Sequence, residues 1–257
     1  MLGALVACID GPSFTLAGSA DAGADAAVES DDGMASVPAT TLAVRPDAGR
    51  CTPFPLLGIT CDAGAAGTTP VAAFRIDRRE TTEAEYAACV GAGKCTAARA
   101  NGGCKSEGAD HPVTCVTRAQ ATAYCAWKAK RLVRSLEHVA AAAGNAGRTY
   151  AWGDEAPGPE RVNACGSECS KPRGMYASAD AWKTTAPVGS LPAGRTPEGV
   201  LDLAGNVAEW VDGEPPGVRG GSYADTEPAA VSAAAVIATG AETASPTIGF
   251  RCARDPS

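Results

Sequence analysis

Eleven cysteines stand among 257 residues, with only two histidines, His111 and His138. Thiolates and imidazoles are the side chains that bind soft and borderline metals or attack as nucleophiles. No two of these cysteines are spaced Cys-x-x-Cys, and two histidines are too few to complete tetrahedral sites around the remainder. That argues against a zinc knuckle. A chain this rich in cysteine suits an oxidising compartment, where thiols pair. Cys51–Cys61, Cys89–Cys95 and Cys165–Cys169 are plausible local pairs, each closing a loop without a core of its own. The other cysteines of the folded part, Cys104, Cys115, Cys125 and Cys252, have no pairing fixed by spacing alone.

Hard-oxygen chemistry has its own candidates. Asp202, Asn206 and Glu209 crowd into one short loop with Gly205. Carboxylates and backbone carbonyls in such a loop suit calcium, which takes six to eight oxygens. An Asx-rich turn satisfied by its own backbone is the competing reading. Neither histidine has an evident nucleophile or partner. His138 is expected at or near a helix surface, and His111 as a packed loop residue. Arg75, Arg78 and Arg79 read as a solvated strand end. Trp127, Trp152, Trp182 and Trp210 read as core.

Charge bounds the partners. There are 29 acidic and 22 basic residues, a net −7. Nucleic-acid binding requires concentrated Lys and Arg, so that class is excluded. Six of the acids, from Asp10 to Asp32, precede the first base, Arg45, leaving 23 acids and 22 bases. Residues 9–49 are rich in Ala, Gly, Ser and Asp and are expected to form a disordered acidic tether. Before it, Leu5-Val6-Ala7-Cys8 has the bacterial lipobox pattern, with Cys8 as the lipid anchor. The apolar stretch over 1–8 is shorter than a usual signal peptide and lacks a basic start, so the true start is expected further upstream. No run approaches 18 apolar residues, so no segment reads as a membrane span. A disulfide-closed lead-in over 50–69 and a domain over 70–257 complete the organisation.

Several elements must hold these groups. Residues 71–77 read as a strand. Thr81-Thr-Glu-Ala-Glu85 opens a helix, with acids in its first turn favouring the helix dipole. Tyr86 and Cys89 share its inner face. Residues 117–127 form a helix with a stripe at Ala121, Tyr124, Cys125 and Trp127. Another runs from Ser135 to Ala143 and ends at Gly144, with Ser135 as its expected cap. Beyond Tyr150 there is no long helix, and Gly249-Phe-Arg-Cys252 reads as a terminal strand. Alanine supplies 55 residues, so the strongly apolar content is low and the core must be helped by cross-links.

The ordered motifs carry a resemblance. Phe74-Arg-Ile-Asp77, Glu80-Thr-Thr82, His111-Pro-Val113, Ala123-Tyr-Cys-Ala-Trp127, Tyr150-Ala-Trp-Gly153, Leu201-Asp-Leu-Ala-Gly-Asn-Val-Ala-Glu-Trp210, Arg219-Gly-Gly-Ser-Tyr223 and Ile248-Gly-Phe-Arg-Cys252 stand in sequence. Over about 71–254 the chain resembles the sulfatase-modifying-factor family, whose founders are formylglycine-generating enzymes. The resemblance implies an α+β, C-type-lectin-like fold with little regular secondary structure. It implies a Cys125–Cys252 bond, which leaves Cys104 with Cys115. It also implies two structural calcium sites. One would use the Asp202 and Glu209 side chains with the Gly205 and Val207 carbonyls. The other would use Asn163, Ala164, Asp180 and Trp182.

The family's oxidase chemistry is not implied. It needs two copper(I)-binding cysteines after the Gly-Gly-Ser motif, and those positions are Asp225 and Ala230. A carboxylate and a methyl group cannot replace thiolates for a soft ion, so no copper is expected. The resulting expectation is an exported, lipid-anchored, calcium-stabilised binding module of the bacterial cell envelope. Its ligand would be a protein, peptide or glycan, and it would touch the membrane through its anchor alone. The alternative is an enzyme of altered chemistry around Asp225.

Overall fold

A computed structural model describes residues 32–44, 59–61, 67–99, 104–169, 171 and 173–256. The strands are β1 (Met34–Val37), β2 (Thr40–Val44), β3 (Ile59–Cys61), β4 (Gly67–Val71), β5 (Phe74–Asp77), β6 (Arg131–Leu132), β7 (Ala208–Val211), β8 (Gly217–Arg219), β9 (Ala235–Ala238), β10 (Ile248–Gly249) and β11 (Cys252–Arg254). The helices are α1 (Glu83–Gly91), α2 (Arg118–Trp127) and α3 (Ser135–Ala143). One sheet has the order β1-β5-β11-β6, a second β10-β7-β8-β9-β3, and β2 pairs with β4. All pairs are antiparallel except β10 with β7. No helix among the described residues is long and apolar enough to cross a membrane. This is the expected α+β fold.

Each helix starts where local chemistry dictates. Thr82 caps α1 by accepting from the Glu85 N–H, while Glu85 accepts from the Thr82 N–H. Thr117 and Gln120 repeat this reciprocal arrangement at α2. Both satisfy donors that a helix start otherwise leaves open. At α3 the cap differs from expectation. Arg134 occupies the cap position, and its N–H donates to Glu137 at 3.0 Å. Ser135 is already helical, and its hydroxyl instead accepts from Arg219 at 2.8 and 2.9 Å.

Small side chains build one half of the core. Ile76 of β5 lies between Ala35 of β1 and Ala253 of β11. Ala140, Ala141, Ala142 and Ala143 of α3 are all buried in the same cluster. Alanine lets backbones approach closely around the few larger side chains of this cluster, Phe74, Leu42 and Leu203. The other half is aromatic. Tyr86 stacks on Tyr124 at 5.8 Å, and Phe250 meets both edge-on. Trp210, fully buried in this cluster, donates its indole N–H to Val116 O at 2.9 Å.

Covalent bonds cross-link the aromatic half and the loops around it. Cys125 pairs with Cys252, joining α2 to β11 across a separation of 127 residues. Cys89–Cys95, Cys104–Cys115 and Cys165–Cys169 are also bonded. Cys8 and Cys51 lie outside the described residues, and with them the lipid anchor and the Cys51–Cys61 pair.

Five expectations need correction. The tether does not extend to residue 49. Met34, Ala35 and Val37 are buried where β1 pairs with β5, and β2 pairs with β4. Two short apolar runs were diluted there by polar neighbours in an averaged composition. The lead-in boundary at 69 falls inside β4, and the expected strand over 71–77 breaks between β4 and β5. The expected terminal strand likewise breaks at Phe250-Arg251. Of the four tryptophans only Trp210 is buried; Trp127 is among the most exposed large apolar residues.

Candidate functional site

The loop after β8 carries the two positions where the resemblance expects thiols. Gly220 and Gly221 enter it at φ +86° and +67°. A Cβ at Gly221 would meet Ala230 O and Val231 Cγ1 at 2.9 Å each. Only glycine fits such a left-handed, crowded turn. Asp225 then folds back, and its Oδ2 accepts from the Ser222 N–H at 2.8 Å and Oγ–H at 2.9 Å. Its backbone O accepts from the Cys165 N–H at 3.1 Å. Asp225 therefore closes a turn. Ala230 is 1% exposed, in a 3₁₀ turn against Ala235. A carboxylate held by its own loop and a buried methyl leave these two positions without a thiol.

Beneath this loop lies a charged network. Glu209 of β7 accepts from Arg251 through Nε at 2.8 and 2.9 Å and through Nη2 at 2.6 Å. Arg251 Nη1 also donates to Asp77 O at 3.1 Å. Glu80 accepts from Asn206 Nδ2 at 2.6 Å and from the Val207 N–H at 3.1 Å. Asp202 accepts from the Gly189 N–H at 2.6 Å. Glu80, Glu209 and Arg251 are buried, and Asp202 is partly exposed. Burial raises the Glu80 carboxyl well above its ordinary range, with further push from Asp202 and Glu209. Burial also raises Asp202 and Glu209, against the pull of Arg251. The network holds more carboxylates than guanidinium can balance, which is the electrostatics a bound cation relieves. Glu209, however, already gives both oxygens to Arg251.

His138 was expected near a surface and is instead 1% exposed. The helix period fits both outcomes, and only the packing of α3 on β7 and β8 decides between them. Neither ring nitrogen has a hydrogen-bond partner among the described residues, and Nε2 lies 3.6 Å from Glu209 Oε2. Burial, then Arg219 and Arg251, holds its pKa well below 6.5. The unfolded chain therefore binds a proton that the folded chain refuses, and stability falls as pH drops below about 6.5. His138→Leu is expected to flatten this acid limb in urea unfolding followed between pH 7.5 and 5 (roughly the span of imidazole titration). Equal slopes for the two proteins would disprove it.

The second oxygen cluster lies at 163–182. Asn163 Nδ2 donates to Thr184 O and Asn206 Oδ1, both at 3.0 Å. Asn206 Oδ1 also accepts from the Ala186 N–H at 2.8 Å, which fixes both amide orientations. Asn163 is 2% exposed, yet its Oδ1 has no partner among the described residues. A buried oxygen without a donor is costly unless something electropositive meets it. Asp180 accepts from the Trp182 N–H at 2.9 Å, the Ala164 N–H at 3.2 Å and the Tyr176 hydroxyl at 2.5 Å. Asn163, Ala164 and Asp180 are thus gathered locally, with Trp182 bound through its backbone. Gly205 adjoins this cluster, since a Cβ there would lie 2.4 Å from Asn163 O. The two candidate sets are neighbours through Asn163, Gly205 and Asn206.

Sequence reading did not single out Glu80, Arg219 or Arg251 as one buried network. A charged residue is most often exposed, so none of the three reads as buried by its type. All three fall within the quoted motifs, which is the available signal.

Fold and site together define a disulfide-braced α+β domain with an acidic buried network and no thiol at positions 225 and 230. Residues 20–256 match the sulfatase-modifying factor enzyme 1-like domain, and the chain belongs to that family. It is 34% identical over 156 residues to the inactive C-alpha-formylglycine-generating enzyme 2 of Bos taurus, covering 56% of this chain and 50% of that protein. It is 35% identical over 175 residues to the formylglycine-generating enzyme of Streptomyces coelicolor, covering 57% and 53%. The chain thus spans about half the length of these curated relatives. Among solved structures, PvdO from Pseudomonas aeruginosa superposes with a TM-score of 0.67 at 24% identity, covering 87% of this chain and 94% of that one. That likeness concerns the fold.

Proposed function

We propose that this chain is a non-catalytic member of its family, a calcium-stabilised interaction module exported and anchored through a lipid on Cys8. The observation that carries the reading is the state of Asp225 and Ala230, one engaged by Ser222 and the other buried. The similarity to a relative described as inactive supports it. An enzyme built on Asp225 finds no support in a carboxylate already held by its own turn. The decisive assay supplies a cysteine peptide, copper, oxygen and an excess of a thiol reductant, which gives the two further electrons that reducing dioxygen to water takes, and looks by mass spectrometry for conversion of the peptide thiol to an aldehyde with release of sulfide. None is expected. Turnover that disappears in Asp225→Asn would overturn the reading.

Calcium is proposed first for the Asn163 set. The unpartnered Asn163 Oδ1 and the Asp180 carboxylate are donors of the hard type that calcium takes. The Ala164 and Trp182 carbonyls would complete the protein's share. At the Asp202 set, with the Gly205 and Val207 carbonyls, Glu209 would have to divide its oxygens between the ion and Arg251. When bound, the ion contributes charge neutralisation and ties loops where the core is thin. Calcium at one hundred times its dissociation constant is expected to stabilise the fold by about 2.7 kcal/mol. Thermal unfolding with and without chelator measures this, and Asn163→Leu should remove the difference. An unchanged midpoint in the parent protein would reject the ion.

A further inference from the structure

We propose that the depression between Trp152 and the 192–197 loop binds an acidic sugar, a pyranose unit bearing a carboxylate. The cavity measures about 530 Å³, within the range for small-molecule sites (about 300–1,000 Å³). Trp152, Pro192, Ala193, Arg195, Thr196 and Pro197 line it. None of them belongs to the Asp225 loop or to either oxygen cluster, so the site needs neither calcium nor the lipid anchor. It rests on the proposed function only in giving the interaction module a class of ligand.

Both walls are fixed in place. Trp152 stacks on Tyr150 at 4.9 Å and 10°, and its Nε1–H donates to Glu155 O at 3.0 Å. One indole face is thus covered and the N–H engaged, so Trp152 shows the cavity aromatic carbon. Opposite it, Pro192–Gly194 forms a 3₁₀ turn, with the Gly194 N–H donating to Leu191 O at 3.0 Å. A Cβ at Gly194 would run into Arg161 O, so only glycine lets this turn sit against that backbone. Thr196 is buried; its N–H donates to Val200 O at 2.9 Å, and its Oγ1 accepts from the Val200 N–H at 3.3 Å. A site formed before its ligand arrives loses little entropy on binding.

The rim selects the kind of ring. Pro192, Ala193 and Pro197 are exposed, so a ligand here keeps much of its surface in water. A purely apolar ligand draws its affinity from being enclosed, and this rim does not enclose it. A pyranose suits the arrangement better. Its hydroxyls stay hydrated while its C–H face lies on the indole, whose π face is electronegative.

Arg195 selects the acid. It is exposed, and its guanidinium has no hydrogen-bond or ion-pair partner among the described residues. No carboxylate lines the cavity. The acids nearest in the chain are engaged elsewhere: Asp154 by Thr149, Glu155 and Glu160 by Arg161, and Glu198 by Arg148. A guanidinium meets a carboxylate through two parallel N–H groups. Exposed charge pairs are individually weak, so the carboxylate sets the preference while ring contact supplies most of the affinity.

The probe is digalacturonate, titrated calorimetrically into the full chain with its disulfides intact, beside its methyl ester and benzoate. Digalacturonate is expected to saturate one site at millimolar concentration. The ester, which keeps the ring faces and loses the charge, should bind about two- to fivefold more weakly, and benzoate should not saturate. Arg195→Gln should bind acid and ester equally, and Trp152→Leu should bind neither. If circular dichroism shows that Trp152→Leu does not fold, Arg195→Gln, which alters one exposed side chain, carries the test. Absence of saturable digalacturonate binding overturns the proposal. So does benzoate or ester binding as tight as that of the acid, a preference for the acid that survives Arg195→Gln, or unchanged binding by a folded Trp152→Leu. The copper assay and the chelator melt test the proposed function separately, so failure here is distinguishable from failure there.

Discussion

Arg251→Met is expected to destabilise the domain by about 3–5 kcal/mol, the range for removing one partner of a buried ion pair. Arg251 is fully buried and is the guanidinium bonded directly to Glu209. Burial lowers its affinity for a proton, but Glu209, then Glu80 and Asp202, more than offset that and keep it charged. Methionine would fill much of the volume while leaving three carboxylates without this counter-charge. Adding Glu209→Gln should recover part of the loss, because the stranded charge is then removed as well. Urea unfolding of the three proteins, each with and without chelator, gives the comparison. A loss below about 1 kcal/mol with chelator present, well short of a broken buried pair, would show that Glu209 does not depend on Arg251.

Replacing Cys125 and Cys252 together by alanine is the second large change. The bond closes a loop of 127 residues in sequence separation. Chain-entropy reasoning assigns such a loop about 5 kcal/mol, because the cross-link restricts the unfolded ensemble. Both sulfurs are fully buried beside Tyr124 and Phe250, so packing loss adds to the entropic term. Marginal stability for a domain is about 5–15 kcal/mol. The double variant is therefore expected to unfold at much lower denaturant. Cys165→Ala with Cys169→Ala, which opens a separation of only 4 residues, should cost considerably less under the same model. Equal midpoints for the two double variants would contradict the loop-length argument.

These two residues show how unevenly the fold could be read. Cys252 and Arg251 are adjacent in one motif, yet only the cysteine announced its role. A cysteine far from its partner in an oxidised chain must pair somewhere, and the family resemblance named Cys125. An arginine carries no such demand, since most are exposed. His138 failed for the same reason. Its place on α3 follows from periodicity, but the face α3 presents to β7 and β8 does not. The strands β1 and β2 were hidden differently. Each is too short to stand out from its polar neighbours, and each exists because β5 and β4 offer it an edge.

Local chemistry fixed what local chemistry can fix. Thr82-x-x-Glu85 and Thr117-x-x-Gln120 start their helices through bonds made within four residues. The Gly220-Gly221 turn and the short cysteine loops are equally local, and the types at 225 and 230 remove the thiols wherever the chain folds. Tertiary structure decided the rest. It brought Glu80 to Asp202, Glu209 and Arg251, more than a hundred residues further along the chain. It left Asn163 Oδ1 without a donor among the described residues. Burial, desolvation and unmatched charge belong to no single residue, because they depend on which distant atoms displace its water.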